Sequence, residues 1–207
     1  MLDRRFFLLL AASGAVASSP AHADAAAEVR QAITDLYVAL GVAMRSGKRT
    51  PFQQRFDALA PVIDRVFDLD TILRVSVGLR WSSLEDATRS RLVTAFRRFT
   101  VASYVVSFDS FDGERLEILP ATKASGTDQI VLSRLISSSD EPIKLDYLMR
   151  SGAGGWKIVD VLLDGTISRV AVQRSDFRAL LAKGDGTALV ESLDRKLADL
   201  VGGKPGG

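Results

Sequence analysis

Ile143-Lys144-Leu145-Asp146-Tyr147-Leu148-Met149-Arg150, followed after a short turn by Trp156-Lys157-Ile158-Val159-Asp160-Val161-Leu162-Leu163, is the stretch that decides the fold. In the first segment Ile143, Leu145, Tyr147 and Met149 alternate with Lys144, Asp146 and Arg150, the period of a strand with one buried face. The second segment has Ile158 and Leu162 on one side and Val159, Val161 and Leu163 on the other, so it is apolar on both. Two more strands, at residues 116–119 and 129–138, precede them. Turn signals stand between, at Ser125-Gly126-Thr127-Asp128, residues 139–142 and residues 151–155. These spacings predict an antiparallel meander that is covered on both faces over part of its area.

Helical periods flank the meander. Val29, Ile33, Leu36, Leu40 and Met44 predict a first helix that stops near Gly47. Thr50 is the expected cap of a second, with Pro51 at its first position and Phe52, Phe56, Leu59, Ile63 and Val66 on one face. Pro61 inside that pattern predicts a kink or a split. Asp70 is the expected cap of a short helix ending near Gly78, and residues 82–86 offer a capping box for a long helix reaching Phe111. That long helix carries two stripes: Leu92, Phe96, Phe99, Ser103 and Val106, then Val93, Thr100, Tyr104, Phe108 and Phe111. A second stripe suggests burial by protein on one side and by something else apolar on the other, or else a central helix surrounded by protein. Two last helices are expected, one capped by Ser175 with Phe177, Leu180 and Leu181, the other with Leu189, Leu193, Leu197 and Leu200. Helices, meander and helices make one α+β domain.

Composition removes many functions. The 207 residues hold 27 Lys+Arg against 25 Asp+Glu, one His and no Cys. So slight a basic excess argues against nucleic acid as a partner. The absence of Cys removes thiol catalysis, cysteine-held metals and a lipoprotein anchor. Residues 1–23 read as a cleaved export signal: Arg4 and Arg5, a short apolar run, then Ala21-His22-Ala23 as the cleavage site. The arginine pair leaves the Sec and twin-arginine routes both open. The expected mature domain is residues 24–207, soluble in a periplasm, with residues 202–207 a flexible tail. Cleavage would take away His22, the only histidine, and with it every imidazole mechanism.

The remaining candidates for chemistry are weak. Asp68 and Asp70 lack the Gly turn and further oxygen ligands of a calcium loop, and helix capping at Asp70 explains them better. Asp160, on a partly buried face, needs an Arg or backbone donor; facing a cavity it would be a general base. Arg89, Arg91, Arg97 and Arg98 make the long helix basic, which reads as a solvated face or as a surface for an acidic partner or anionic headgroups. No metal site, cofactor or catalytic constellation is expected.

Two runs carry a family likeness. One is Ala95-Phe96-Arg97-Arg98-Phe99 through Tyr104 to Phe111-Asp112-Gly113. The other is Lys144-Leu145-Asp146-Tyr147 with Gly155-Trp156-Lys157-Ile158-Val159-Asp160-Val161, Asp164-Gly165 and Arg174-Ser175-Asp176-Phe177. With the export signal they resemble the MlaC or toluene-tolerance family of periplasmic phospholipid carriers. Asp164-Gly165-Thr166-Ile167-Ser168 looks more like its hopanoid-associated HpnM branch. The resemblance implies a curved sheet of nuclear-transport-factor type, wrapped by N- and C-terminal helices around an apolar pocket for lipid tails. It also implies a non-enzymatic monomer that takes phospholipid or hopanoid as cargo. Its implied partners are the substrate-binding ring of an inner-membrane ABC transporter and an outer-membrane lipoprotein complex. The pocket is expected between the long helix and the sheet, lined by Tyr104, Phe108, Leu145, Tyr147, Val159 and Val161. Two other readings compete: an isomerase or hydratase using Asp160 with Tyr147 or Tyr104, and an adaptor whose groove takes a protein helix.

Overall fold

The computed structural model describes residues 20–137, 141–182 and 184–203. The expected signal lies outside the described residues up to residue 19, and residues 204–207 of the expected tail lie outside them as well. Six helices and five strands follow in order: α1 (Pro20–Ser46), α2 (Phe52–Val66), α3 (Leu69–Val77), α4 (Asp86–Ser107), β1 (Arg115–Ser125), β2 (Asp128–Ile136), β3 (Ile143–Gly152), β4 (Gly155–Leu163), β5 (Ile167–Ser168), α5 (Arg169–Leu181) and α6 (Thr187–Val201). The strands form one antiparallel sheet in the order β1-β2-β3-β4-β5, curved and unclosed, so the α+β expectation holds. β1 is longer than residues 116–119 and tolerates Pro120 because it is an edge strand whose register slips between Ile118 and Thr122. The added β5 is short and pairs with the end of β4.

The first helical face is buried as its period requires: Val29, Ile33, Leu36, Leu40 and Met44 are all in the core. The first four meet Leu59, Ile63 and Val66 of α2, Leu92 and Phe96 of α4, and Val131, Tyr147, Met149 and Ile158 of the sheet in one cluster. Each such side chain contributes about 1.5–3 kcal/mol by leaving water. A buried polar contact adds orientation. The hydroxyls of Tyr37 on α1 and Ser133 on β2 hydrogen-bond at 2.5 Å, and Ser133 donates onward to the Leu145 carbonyl. Tyr37 also packs edge-on against Tyr147, with ring centroids 6.0 Å apart. Arg55, buried on α2, donates to the Val105 carbonyl at 2.8 Å and so satisfies an orphan acceptor in the last turn of α4.

Several local expectations are corrected. α2 runs unbroken through Pro61, because Leu59 and Ala60 before it and Ile63 and Val66 after it are held in the same core. Thr50 makes no side-chain cap; α2 starts after Pro51. Asp68, not Asp70, caps α3: its carboxylate accepts from the Thr71 amide at 3.0 Å and the Thr71 hydroxyl at 2.7 Å. The capping box at residues 82–86 does not form, since a turn of 3-10 helix takes Gly78–Ser83 and α4 starts after Glu85 without a side-chain cap. Ser168 caps α5, accepting from the Ala171 amide at 2.9 Å, which leaves Ser175 inside the helix. α4 stops at Ser107, and Phe111 lies beyond it, exposed.

Two corrections move the site. First, the β3–β4 pairing shifts between Leu148↔Asp160 and Met149↔Ile158, leaving Val159 as an extra, bulged residue. Beyond the bulge the alternation is reset. Ile158 therefore shares the core face with Tyr147, Met149 and Val161, not the opposite one. Second, the second half of α4 buries a face that neither stripe contains: Val101, Ala102 and Val105 are each fully buried. α4 is thus a central helix, packed by α2, α3 and α6, and only part of its circumference is left to face a cavity.

Candidate functional site

That part opens onto a cleft of about 430 Å³ between α4 and the core face of the sheet. Phe96, Phe99, Thr100, Ser103, Tyr104, Ser107 and Phe108 line it from α4 and its C-terminal cap. Leu135 of β2, Ile143, Leu145 and Tyr147 of β3, and Asp160, Val161 and Leu163 of β4 line it from the sheet. Phe67, Leu69 and Ile72 close one end, and Arg169, Val170 and Gln173 of α5 border another. The size lies within the range of about 300–1,000 Å³ common to small-molecule sites, and the lining is mostly apolar, as such sites require.

Five of the six residues expected to line a pocket are brought together here: Tyr104, Phe108, Leu145, Tyr147 and Val161. Val159 is not among them. The bulge removes it from the face that Tyr147 and Val161 share. The expected division of stripes also fails in detail, because Phe96, Phe99 and Ser103 of the first stripe border the cleft too. Leu135 and Leu163 were legible in principle. Leu163 pairs with Leu145 across the sheet, so it follows the same face. Phe67, Arg169 and Gln173 carried no such period.

Aromatic rings build one wall. The Tyr104 ring lies 5.5 Å from Phe67 and stacks on Phe108 at 5.9 Å with an interplanar angle of 9°. Burial pushes the Tyr104 hydroxyl well above the ordinary tyrosine range, the Tyr37 hydroxyl adds to the rise, and the Arg169 guanidinium opposes it. Tyr147 is likewise raised by burial, then by Tyr37 and Tyr104, and Tyr37 itself is raised by burial against the Ser133 hydrogen bond. Neutral phenols suit an apolar wall and are poor bases near neutral pH.

Asp160 is the carboxylate that a catalytic reading needs. Its oxygens accept from the Val161 amide at 2.8 Å, the Val170 amide at 3.1 Å and the Ser168 hydroxyl. Three donors, two of them at the start of α5 or its cap, make it an anchor for that helix and leave little capacity for proton abstraction. Among the arginines of α4, Arg97 is held bidentately by Asp64 at 2.7 and 2.6 Å, and Arg89 pairs with Asp86. Among the described residues there is no cluster of carboxylates or histidines able to hold a metal ion, and no helix long and apolar enough to cross a membrane.

A second cavity of about 440 Å³ lies between α4, α5 and α6. It shares Phe99, Ser103, Ser107, Arg169 and Gln173 with the cleft, so one wall separates the two.

Comparison with protein-family models matches residues 34–195 to the family described as MlaC protein. Among solved structures, the fold is similar to that of a phospholipid-binding protein from Ralstonia solanacearum, determined in complex with a phospholipid. The TM-score is 0.70 at 22% identity, and the match covers 85% of this chain and 98% of that one. Comparison with curated protein sequences gives no match.

Proposed function

The chain belongs to the MlaC family, and from that premise we propose that it is a periplasmic carrier that holds lipid tails in the cleft between α4 and the sheet. The observation that carries this reading is the cleft itself: an apolar cavity walled by Tyr104, Phe108, Leu145, Tyr147 and Val161, with its one carboxylate already bonded. The similar Ralstonia protein, with its bound phospholipid, supports phospholipid as the cargo. The proposed route runs between an inner-membrane ABC transporter's substrate-binding ring and an outer-membrane lipoprotein complex, after removal of the export signal.

Physical chemistry supplies the need. Burying a CH₂ group is worth about 0.8 kcal/mol, so a lipid with roughly thirty of them faces on the order of 20 kcal/mol in crossing bare water. A carrier must hold the tails dry without reacting with them. Bonded Asp160 and neutral tyrosines meet that condition, which sets the isomerase or hydratase reading below the carrier.

The hopanoid reading rests on residues 164–168. In the fold they make the turn between β4 and β5, with Asp164 at φ 51° and Gly165 at φ 75°, a left-handed pair of the kind that favours Asp-Gly in tight hairpins. None of them borders either cavity, so no contact with cargo adds support to the hopanoid reading. Phospholipid is the cargo proposed. The test is transfer: the purified chain should speed the movement of a fluorescent phospholipid from donor to acceptor vesicles in proportion to its concentration. A rate equal to that of vesicles alone would remove the carrier reading.

A further inference from the structure

The cleft and the second cavity meet at a cation. Arg169, the first residue of α5, borders both. It is exposed and makes no ion pair among the described residues, whereas Arg97, Arg134 and Arg150 are each paired with a carboxylate. The carboxylates nearest in the linings do not neutralise it. Asp160 is taken by the Val161 and Val170 amides and the Ser168 hydroxyl, and Asp176 lies two turns further along α5 and makes no bridge to it. One turn on from Arg169, the Gln173 carbonyl oxygen faces the Ser76 hydroxyl at 3.3 Å, which leaves its amide N–H groups for another acceptor.

A mostly apolar cleft and a second cavity, part apolar and also lined by Asp176 and Lys196, that meet at a solvent-facing guanidinium and an amide donor have the shape of an amphiphile with two chains and one anionic group. We propose that Arg169, assisted by Gln173, takes the phosphate of a two-chain phospholipid whose chains enter the two cavities, and so selects a phosphate-bearing lipid over a neutral one. The planar guanidinium fork matches two phosphate oxygens, which an ammonium cannot do. Its exposure keeps the effect moderate, because water competes for both partners. This inference rests on the reading of the cleft as a lipid site.

The test uses the purified full chain with fluorescent phosphatidylglycerol and diacylglycerol of identical acyl chains. The wild type should prefer phosphatidylglycerol. Arg169→Gln should weaken phosphatidylglycerol binding about tenfold and leave diacylglycerol binding unchanged, with Arg169→Lys recovering part of the loss. Inorganic phosphate should not displace the bound lipid; displacement would make Arg169 a site for free phosphate and overturn the headgroup assignment. An Arg169→Gln variant that keeps wild-type selectivity, or that loses both lipids equally, would overturn the inference while leaving carriage intact. A wild type that binds neither lipid would overturn both.

Discussion

Phe96, inside α4, and Phe108, its C-terminal cap, both border the cleft but should fail in different ways when replaced. Phe96 is 1% exposed and meets Phe177 edge-on at 6.4 Å, so Phe96→Ala opens a cavity in the core. Such truncations cost about 3–5 kcal/mol. At about 2–4 °C per kcal/mol for a domain of this size, the melting temperature should fall by roughly 10 °C or more. Phe108 is the half-buried cap of α4, stacked on Tyr104 and bordering the cleft. Phe108→Asp loses that stack, worth about 0.5–1.5 kcal/mol, and sets a negative charge at a helix C-terminus, worth about 0.3–1 kcal/mol more. The expected loss is about 5 °C. Its larger effect should be on cargo, because an unpaired carboxylate against lipid tails is costly. Thermal unfolding and lipid extracted per protein should be measured on both variants. If Phe108→Asp melts as early as Phe96→Ala, or retains wild-type lipid, Phe108 is a core residue and the cleft has been misplaced.

Other expectations follow from the same contacts. All three tyrosines of the chain, Tyr37, Tyr104 and Tyr147, are raised above their ordinary value. Their contribution to stability is therefore complete below about pH 10 and is lost above it, as the unfolded chain ionises first, by about 1.4 kcal/mol per pH unit for each tyrosine. Phenolate absorbance should accordingly appear only with unfolding; a normal titration in the folded protein would refute the burial of these hydroxyls. Asp160→Ala leaves the Val161 and Val170 amides and the Ser168 hydroxyl without their acceptor, and should cost about 2–3 kcal/mol in urea unfolding, with faster hydrogen exchange at Val170. Ser168→Ala removes the α5 cap and should cost about 1 kcal/mol by the same assay, whereas Ser175→Ala should be near neutral; the reverse order would restore Ser175 as the cap.

How much of this was legible beforehand follows the strength of each period. The α1 face and the alternating β3 run are long and regular, so Val29 to Met44 and Leu145 with Tyr147 fall where their spacing puts them. Val159 defeated alternation because a bulge is a property of two strands together, and β4 by itself does not announce it. The cap expected at Asp70 falls instead at Asp68, because the Asp68 amide bonds the Ile158 carbonyl at 2.9 Å, a tertiary contact that fixes where α3 begins. The third buried face of α4, at Val101, Ala102 and Val105, lay between two stripes and only the surrounding helices reveal it. Arg169 had no signal at all. Its position between two cavities comes from the turn after β4 and the Asp160 anchor, both products of tertiary structure.

Carriage is tested most directly by solvent extraction of the purified chain followed by quantitative mass spectrometry. A carrier with this cleft should release phospholipid at close to one molecule per chain, and Val161→Glu, which sets a charge on the cleft face of β4, should release much less while remaining folded. A wild-type chain that purifies without lipid and takes up none from vesicles would contradict it.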